Sequence, residues 1–152
     1  MLRFVAPTVV LTVASFAVTT ASAQVADMQQ RIEVAAPLVP GSFKAFAVPS
    51  SGAIADETFI ATSKLRGPSA IAKQLARVLE AADSSQLIIV VTGPSDAKTA
   101  QVIRDALAAT GKTSLPLLTL VFVGGERASS EVQDSVSSYG ATYKFAKYPP
   151  GL

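Results

Sequence analysis

The chain has 152 residues, with 13 basic and 11 acidic side chains, no histidine and no cysteine. Such a nearly balanced charge argues against a nucleic-acid-binding protein, which would concentrate lysine and arginine on one face. The missing imidazole and thiol groups exclude histidine bases, Ser-His triads, thiolate nucleophiles, disulfides and nearly all zinc sites. The composition therefore argues against an enzyme without excluding hydrolysis by paired carboxylates, and no catalytic residue, metal site or cofactor is assigned.

Residues 1–23 have the three parts of a secretory signal peptide. Arg3 gives a short basic start, Phe4–Val18 is mostly apolar, and Ala21-Ser22-Ala23 is a small-residue cleavage site. The apolar run is shorter than the roughly 20 residues that a membrane span needs. We therefore expect cleavage before Gln24 and a periplasmic or secreted mature chain without a membrane span. An uncleaved N-terminal anchor is the alternative, because one arginine is a weak basic start.

Residues 24–56 are the least regular part of the chain and are predicted as a lead-in to the domain. Gln24–Glu33 is polar enough for a short helix. Prolines and glycines interrupt residues 34–56, apart from Phe43–Val48, which has the composition of a strand. We expect that strand, if it forms, to lie at the edge of a sheet.

Residues 57–148 show a regular alternation that predicts the order β-α-β-α-β-α-β. Thr58–Ser63 is rich in β-branched and aromatic residues and predicts the first strand. A helix begins after Gly67-Pro68-Ser69, with proline near its first position. Leu87–Val91 is the strand after that helix. The buried face of this helix is predicted by helical spacing at Ile71, Leu75, Val78, Leu79 and Ala82.

The second unit repeats this pattern. Gly93-Pro94-Ser95 begins a helix that Gly111 ends, because glycine adopts the left-handed conformation of a helix terminus. Leu117–Val123 is the third strand. The buried face of the helix is predicted at Val102, Ile103, Ala106 and Leu107.

The last unit begins after Gly124-Gly125. Its helix has Ala128, Val132 and Val136 at i+4 spacing and ends at Gly140. Ala141–Tyr148 alternates aromatic and polar residues and is predicted as a half-exposed edge strand. Residues 149–152, Pro-Pro-Gly-Leu, are predicted as an extended tail.

Short, almost continuous apolar runs that alternate with helices are typical of parallel strands covered on both faces. With right-handed crossovers, they predict a small three-layer doubly wound α/β fold. Its sheet is mostly parallel, with four to five strands and three main helices.

Ligands of such folds bind at the carboxyl ends of the strands, near the point where the strand order reverses. The loops at that edge precede helix N-termini, whose free amides and dipoles attract anions. The residues predicted for an anionic ligand are Arg66, Gly93, Ser95, Gly124, Gly125 and Arg127. This is the alternative function: a small-anion binder or a hydrolase.

Capping explains several of the same residues. Ser69 and Ser95 have the positions of helix caps, and Asp96 and Glu126 would complement the dipoles and repel an anion. Ser95 and Lys98 also have the S-x-x-K spacing of penicillin-binding enzymes, but the companion motifs are absent. A capping serine beside a solvated lysine is the better interpretation.

Aromatic residues collect near the end of the chain, at Tyr143, Phe145 and Tyr148, next to the proline-rich tail. Tyrosine and extended proline segments are common at protein interfaces. The leading function hypothesis is therefore an exported, non-enzymatic α/β domain that binds another envelope or extracellular protein through these residues. A purely structural component of a surface assembly is a third hypothesis.

Overall fold

The computed structural model describes residues 18–149, with side chains from residue 25 onward. Five helices and four strands occupy this part of the chain. They are α1 (Val18–Ala35), β1 (Lys44–Ala47), α2 (Ala53–Arg66), α3 (Ala70–Leu79), β2 (Leu87–Thr92), α4 (Asp96–Ala109), β3 (Leu118–Gly124), α5 (Glu126–Ser137) and β4 (Thr142–Lys147). Short 3₁₀ turns come after α1 and α3, at Ala36–Leu38 and Glu80–Asp83.

The four strands form one parallel sheet. Their order in space, β1-β2-β3-β4, is their order along the chain, so every strand pairs with the next one in the sequence. Opposite Cα partners include Ile89 with Leu120 and Phe122 with Phe145. The α/β class, the parallel sheet and the number of strands are confirmed.

The winding differs from the sequence-based expectation in one respect. Because the strand order never reverses among the described strands, the sheet has no topological switch point at which a ligand would be expected. The three helical connections, α2–α3, α4 and α5, make right-handed crossovers in one direction, which places the packed helices α3, α4 and α5 on the same face. The opposite face is covered by α1, which precedes the first strand.

The larger core lies between the sheet and the helices α3, α4 and α5. Alternate strand residues point into it, since side chains along a strand face opposite sides. The predicted helical stripes face this core, with Ile71 and Val78 at its margin. Its fully buried members of largest volume include Phe122, Leu75, Leu79, Ile89, Ile103, Leu107 and Leu118.

The smaller core lies beneath α1. It joins Ala35 of α1 and Val39 to Val90 of β2 and to Val121 and Val123 of β3. The backbone of α1 begins at Val18 and runs through the predicted cleavage site.

The strand predicted at Thr58–Ser63 is wrong: these residues lie in the middle of α2. The β-branched Thr58 and Ile60 are outnumbered by strong helix formers on both sides, including alanines, Glu57 and Lys64. A helix also satisfies its own backbone hydrogen bonds on the surface, whereas a strand needs a neighbour. The first strand of the sheet is β1, within the range Phe43–Val48, and it lies at an edge.

No helix in residues 18–149 is long and apolar enough to cross a membrane. Residues 1–17 of the predicted signal peptide and residues 150–152 of the predicted tail lie outside the described residues.

Candidate functional site

The carboxyl ends of the strands lie along one edge of the sheet, and two glycines shape the loops there. Gly93 comes directly after β2 and is buried, and a Cβ atom at this position would collide with the backbone oxygen of Val48. Gly124 ends β3, and a Cβ atom there would lie 2.5 Å from a carboxylate oxygen of Asp96. Both positions require glycine, because their neighbours approach too closely for any side chain. Gly124 thus allows the start of α4 to pack against the end of β3, and Gly93 allows the residue after β1 to pack against the end of β2.

The Asp96 carboxylate occupies part of the place that the sequence predicts for an anion. Asp96 is the first residue of α4, and its Oδ2 accepts a 2.9 Å hydrogen bond from the amide of Gly125, at the start of α5. Ser95 caps α4, because its hydroxyl accepts a 3.3 Å bond from the amide of Lys98. A fixed carboxylate at a helix N-terminus complements the dipole and repels a second anion. The capping interpretation of these residues agrees with this geometry.

The two arginines predicted for the anion site are both exposed. Arg66 ends α2 and lines an open groove with Gly67–Ser69, whereas Arg127 lies in the first turn of α5. Within residues 25–149, no hydrogen bond or ion pair links either guanidinium group to the loops at the strand ends. The structure thus brings Gly124 and Gly125 to Asp96, next to the cap Ser95, and sets Gly93 against Val48. It leaves Arg66 in the groove beside Gly67–Ser69 and Arg127 exposed on α5.

A buried ion pair lies under α2, close to the same edge. Lys98 Nζ, in the first part of α4, donates a 3.1 Å hydrogen bond to Asp56 Oδ1, and both side chains are about 95% buried, with exposures of 6% and 5%. The ammonium group also lies 4.7 Å from the centre of the Phe59 ring. Ser50 and the amide of Ser51 donate to the same carboxylate. Asp56 therefore has a donor for both of its oxygens.

This arrangement decides the role of Lys98. Burial raises the pKa of Asp56, but the hydrogen bonds from Ser50, Ser51 and Lys98 and the lysine charge outweigh it and hold the pKa below its usual range. Lys98 Nζ is held by Asp56, and among the described residues it forms no hydrogen bond with the Ser95 hydroxyl, so the geometry does not place it as a base for Ser95. The expectation of a solvated Lys98 is wrong, because Asp56, 42 residues earlier in the chain, covers it.

A second polar cluster lies on the opposite face of the sheet, beneath α1. Arg31, which is 8% exposed, donates a 3.1 Å bond to the hydroxyl of Thr92 and a 2.8 Å bond to Asp27 Oδ2. Its guanidinium carbon lies 4.3 Å from the centre of the Tyr148 ring. The Tyr148 hydroxyl donates to Asp27 Oδ1 at 2.9 Å and is 3.0 Å from Gln30 Oε1. These contacts attach α1 to the ends of β2 and β4.

The pKa values within this cluster shift in opposite directions. Burial raises the pKa of Asp27, but the hydrogen bonds from Arg31 and Tyr148 and the arginine charge outweigh it, so that the pKa is lowered. The hydrogen bond to Asp27 raises the pKa of Tyr148, with smaller contributions from burial and the negative charge of Asp27. Asp27 is thus an anion and Tyr148 a neutral donor at neutral pH.

The three aromatic residues predicted for partner binding do not share one surface. Tyr143 and Phe145 face the helical side, where the Tyr143 hydroxyl lies 2.7 Å from that of Ser129 and the Phe145 ring stacks on Phe122 with centroids 6.2 Å apart. Burial raises the pKa of the Tyr143 hydroxyl, against a smaller opposing effect of Ser129. Tyr148 faces α1 instead. All three are half-buried, so each is partly accessible at the margin of the sheet.

Sequence analysis missed Asp27, Arg31, Asp56 and Thr92 as members of polar clusters. Each depends on a partner that the chain brings from far away, and no spacing in the sequence marks those pairs. In the described part of the chain, no group of three acidic side chains is placed to hold a metal ion.

Comparison with known proteins identifies no relative of this chain: no protein family, no curated protein and no solved structure matches it.

Proposed function

We propose that this protein is an exported, non-enzymatic α/β domain that binds another envelope or extracellular protein along the free edge of β4. The observation that carries the proposal is the position of β4. It is six residues long, pairs with β3 on one side, and has no neighbouring strand on the other side within the described residues. An exposed edge of this length can receive an extended segment of a partner as an additional strand.

The backbone of β4 presents hydrogen-bonding groups to such a segment. The amide of Tyr148 donates inward to the carbonyl of Gly124 at 2.9 Å. Because successive residues of a strand direct their backbone groups to opposite sides, the amides and carbonyls of Tyr143 and Phe145 face the free edge. A partner strand would bond to these groups.

Side chains beside the free edge would supply specificity. Tyr143 and Phe145 are half-buried against the domain and leave part of each ring accessible. Aromatic rings that are already held in place lose little conformational entropy on binding. Tyr148 lies at the end of β4, on the opposite face, and would contact a partner that extends beyond the strand.

The geometry at the strand carboxyl ends gives less support to the alternative, a small-anion binder or hydrolase. The amide of Gly125 is bonded to Asp96, and the ammonium group of Lys98 is bonded to Asp56. An anion entering this edge would meet the Asp96 carboxylate. None of the predicted residues Gly93, Ser95, Gly124 and Gly125 carries a positive charge that would offset it.

Photo-crosslinking in the producing cell tests the proposal. A photoreactive residue is placed at Thr142, which is exposed on β4, and in a separate variant at Gln133, which is exposed on α5. We expect a discrete adduct with one envelope or extracellular protein from position 142 and none from position 133. Equal labelling from both positions would contradict binding along β4.

Phe145→Pro and Phe145→Ala form a matched pair for the same assay. Both variants lose the aromatic ring, but only proline removes an amide that faces the free edge. We expect the adduct at position 142 to be lost with proline and to be weakened with alanine. Circular dichroism checks that both variants are folded before the adducts are compared. Identical adduct yields would show that the partner does not add a strand.

Export is tested separately. Mass spectrometry of the accumulated protein should show an N-terminus at Gln24, and Ala23→Leu should block the cleavage, because the site requires small residues. A full-length chain retained in the cytoplasm would contradict the localisation.

A further inference from the structure

The outer face of α2 carries apolar side chains in solvent. Ile54 and Leu65 are 83% and 86% exposed, and Thr58 and Ala61, also exposed, lie between them. The four positions have the spacing i, i+4, i+7 and i+11, so that they form one straight stripe along the helix. We call Ile54, Thr58, Ala61 and Leu65 the α2 stripe. Single exposed apolar residues are common, but a continuous stripe over three turns is not.

The opposite side of α2 explains why the stripe points directly outward. The only buried residues of this helix are Asp56 and Ser63, which lie on the face opposite the stripe. Asp56 is fixed by Lys98 on α4. Phe59, on the inner side as well, is half-buried against the larger core. The inner side of α2 thus combines a buried ion pair with one partly buried ring, while Ile54 and Leu65 are presented to solvent.

Two charges flank the stripe on the same side. Glu57 and Lys64 are seven residues apart, so they lie on one edge of the stripe and are two turns away from each other. Both are exposed, and neither forms an ion pair within the described residues. At this spacing they cannot pair with each other inside one helix.

The stripe and its charges are complementary to a second copy of themselves. Ile54 and Leu65 are equally distant from the centre of the stripe, and so are Thr58 and Ala61. An antiparallel copy therefore places Ile54 opposite Leu65, with the small residues at the centre where two helices approach closely. The same two-fold axis brings Glu57 of each copy to Lys64 of the other and sets the helix dipoles antiparallel.

We propose that the protein forms a symmetric dimer in which α2 packs antiparallel against α2 of a second copy. A membrane surface would favour a face rich in lysine and arginine, whereas the charges beside this stripe are balanced. The dimer uses the side of the sheet near β1 and α2. It leaves the edge of β4 free, and it does not rest on the function proposed above.

Charge reversal at the flanking pair is the most direct test. The protein is purified in the form in which it accumulates, and its self-association is measured by sedimentation equilibrium. Glu57→Lys and Lys64→Glu should each weaken the dimer about three- to tenfold, because each creates two like-charge contacts across the axis. The double variant E57K/K64E should restore the wild-type dissociation constant, since the opposite charges then meet again. This restored affinity is specific to pairing between two copies, because the charges of a different partner would not change together with those at positions 57 and 64.

Removal of the apolar contacts gives the larger effect. Leu65→Lys should weaken the dimer by at least about tenfold, because it removes two symmetric apolar contacts at once. Ala53→Ser, on the same helix but outside the stripe, is the matched control and should leave the dissociation constant unchanged.

The natural absence of cysteine makes a positional test simple. Ala61→Cys places a thiol close to the proposed axis, and Ala55→Cys places one on the flank of the same helix. Mild oxidation should link Ala61→Cys into dimers at concentrations at which Ala55→Cys remains monomeric. A chain that is monomeric at millimolar concentration would overturn the proposal. A dimer whose dissociation constant does not change with Leu65→Lys would overturn it as well. So would a double variant E57K/K64E whose dimer is as weak as those of the single variants.

Discussion

Helices α1 and α2 both lie outside the layer formed by α3, α4 and α5, but they are held to the domain in different ways. The inner face of α1 combines apolar burial, with Ala35 fully buried, and a polar cluster around Arg31. The inner face of α2 buries only Asp56 and Ser63. A helix attached mainly through one ion pair and the half-buried Phe59 ring has little apolar burial to resist local opening. We therefore expect α2 to open before α1 and before the sheet.

The largest effect should come from the ion pair under α2. Lys98→Met leaves the Asp56 carboxylate buried without a counter-charge and should lower the free energy of unfolding by about 3 kcal/mol. Amide hydrogen exchange should increase in α2 and remain unchanged in α1. Lys112→Met is the matched control, because it breaks an ion pair with Asp83 that is exposed. That change should cost less than about 1 kcal/mol. Equal losses in the two variants would contradict the special role of the buried pair.

Arg31→Met is the corresponding change under α1. It removes hydrogen bonds to Thr92 and Asp27, and it should lower the free energy of unfolding by about 2 kcal/mol. Hydrogen exchange should now increase in α1 and not in α2. An increase confined to α2 would show that the two attachments are not independent.

Acid should weaken both attachments. The pKa values of Asp27 and Asp56 are lowered in the folded protein, so each carboxylate binds protons less tightly when folded than when unfolded. Their stabilising contributions are present above the unfolded pKa of about 4 and are lost as the pH falls through the folded values. Urea unfolding between pH 7 and pH 2 should show this loss as a fall in the free energy of unfolding. Asp56→Asn should reduce this pH dependence, and it should remove the part that coincides with faster amide hydrogen exchange in α2. An unchanged pH dependence in that variant would contradict the assignment.

The smallest effect is expected at Asp105, a residue of α4, which provides a reference outside α1 and α2. Burial raises its pKa against the smaller effects of Gln101 and Arg104, and its Oδ2 is buried without a hydrogen-bond partner. A raised pKa means that ionisation of this group costs stability as the pH rises above the unfolded value. Asp105→Asn should therefore raise the free energy of unfolding slightly at pH 7, by less than about 1 kcal/mol, in urea titrations. A clear loss of stability would show that the Arg104 charge dominates.

The sequence is sufficient to predict the repeating part of the fold. The apolar runs of β2 and β3 and the helical spacing of Val132 and Val136 are local patterns, and the structure confirms them. The prediction failed at α2 because its Thr58-Phe59-Ile60 segment has strand-like composition on a helix that buries almost no apolar residue. Periodicity gives no signal where the buried face is polar.

The site was harder to predict than the fold. Caps such as Ser69 and Ser95 can be inferred from position alone, and both accept the expected amide bonds. Asp56 pairs with Lys98 because residues 53–66 form a helix that lies over α4. The strand-like composition of Thr58–Ser63 did not predict that helix. The contact of Asp27 with Tyr148 joins residues that no local rule connects.

That last contact has a consequence for the order of folding. Asp27 and Tyr148 are 121 positions apart, and the sheet between them adds one neighbouring strand at a time. A chain that emerges from its N-terminus, from a ribosome or through a translocation channel, exposes α1 first and the strand that completes its binding surface last. Helix α1 can pack on β2 and β3 as they emerge, but the contact with Tyr148 that completes its attachment forms only after β4.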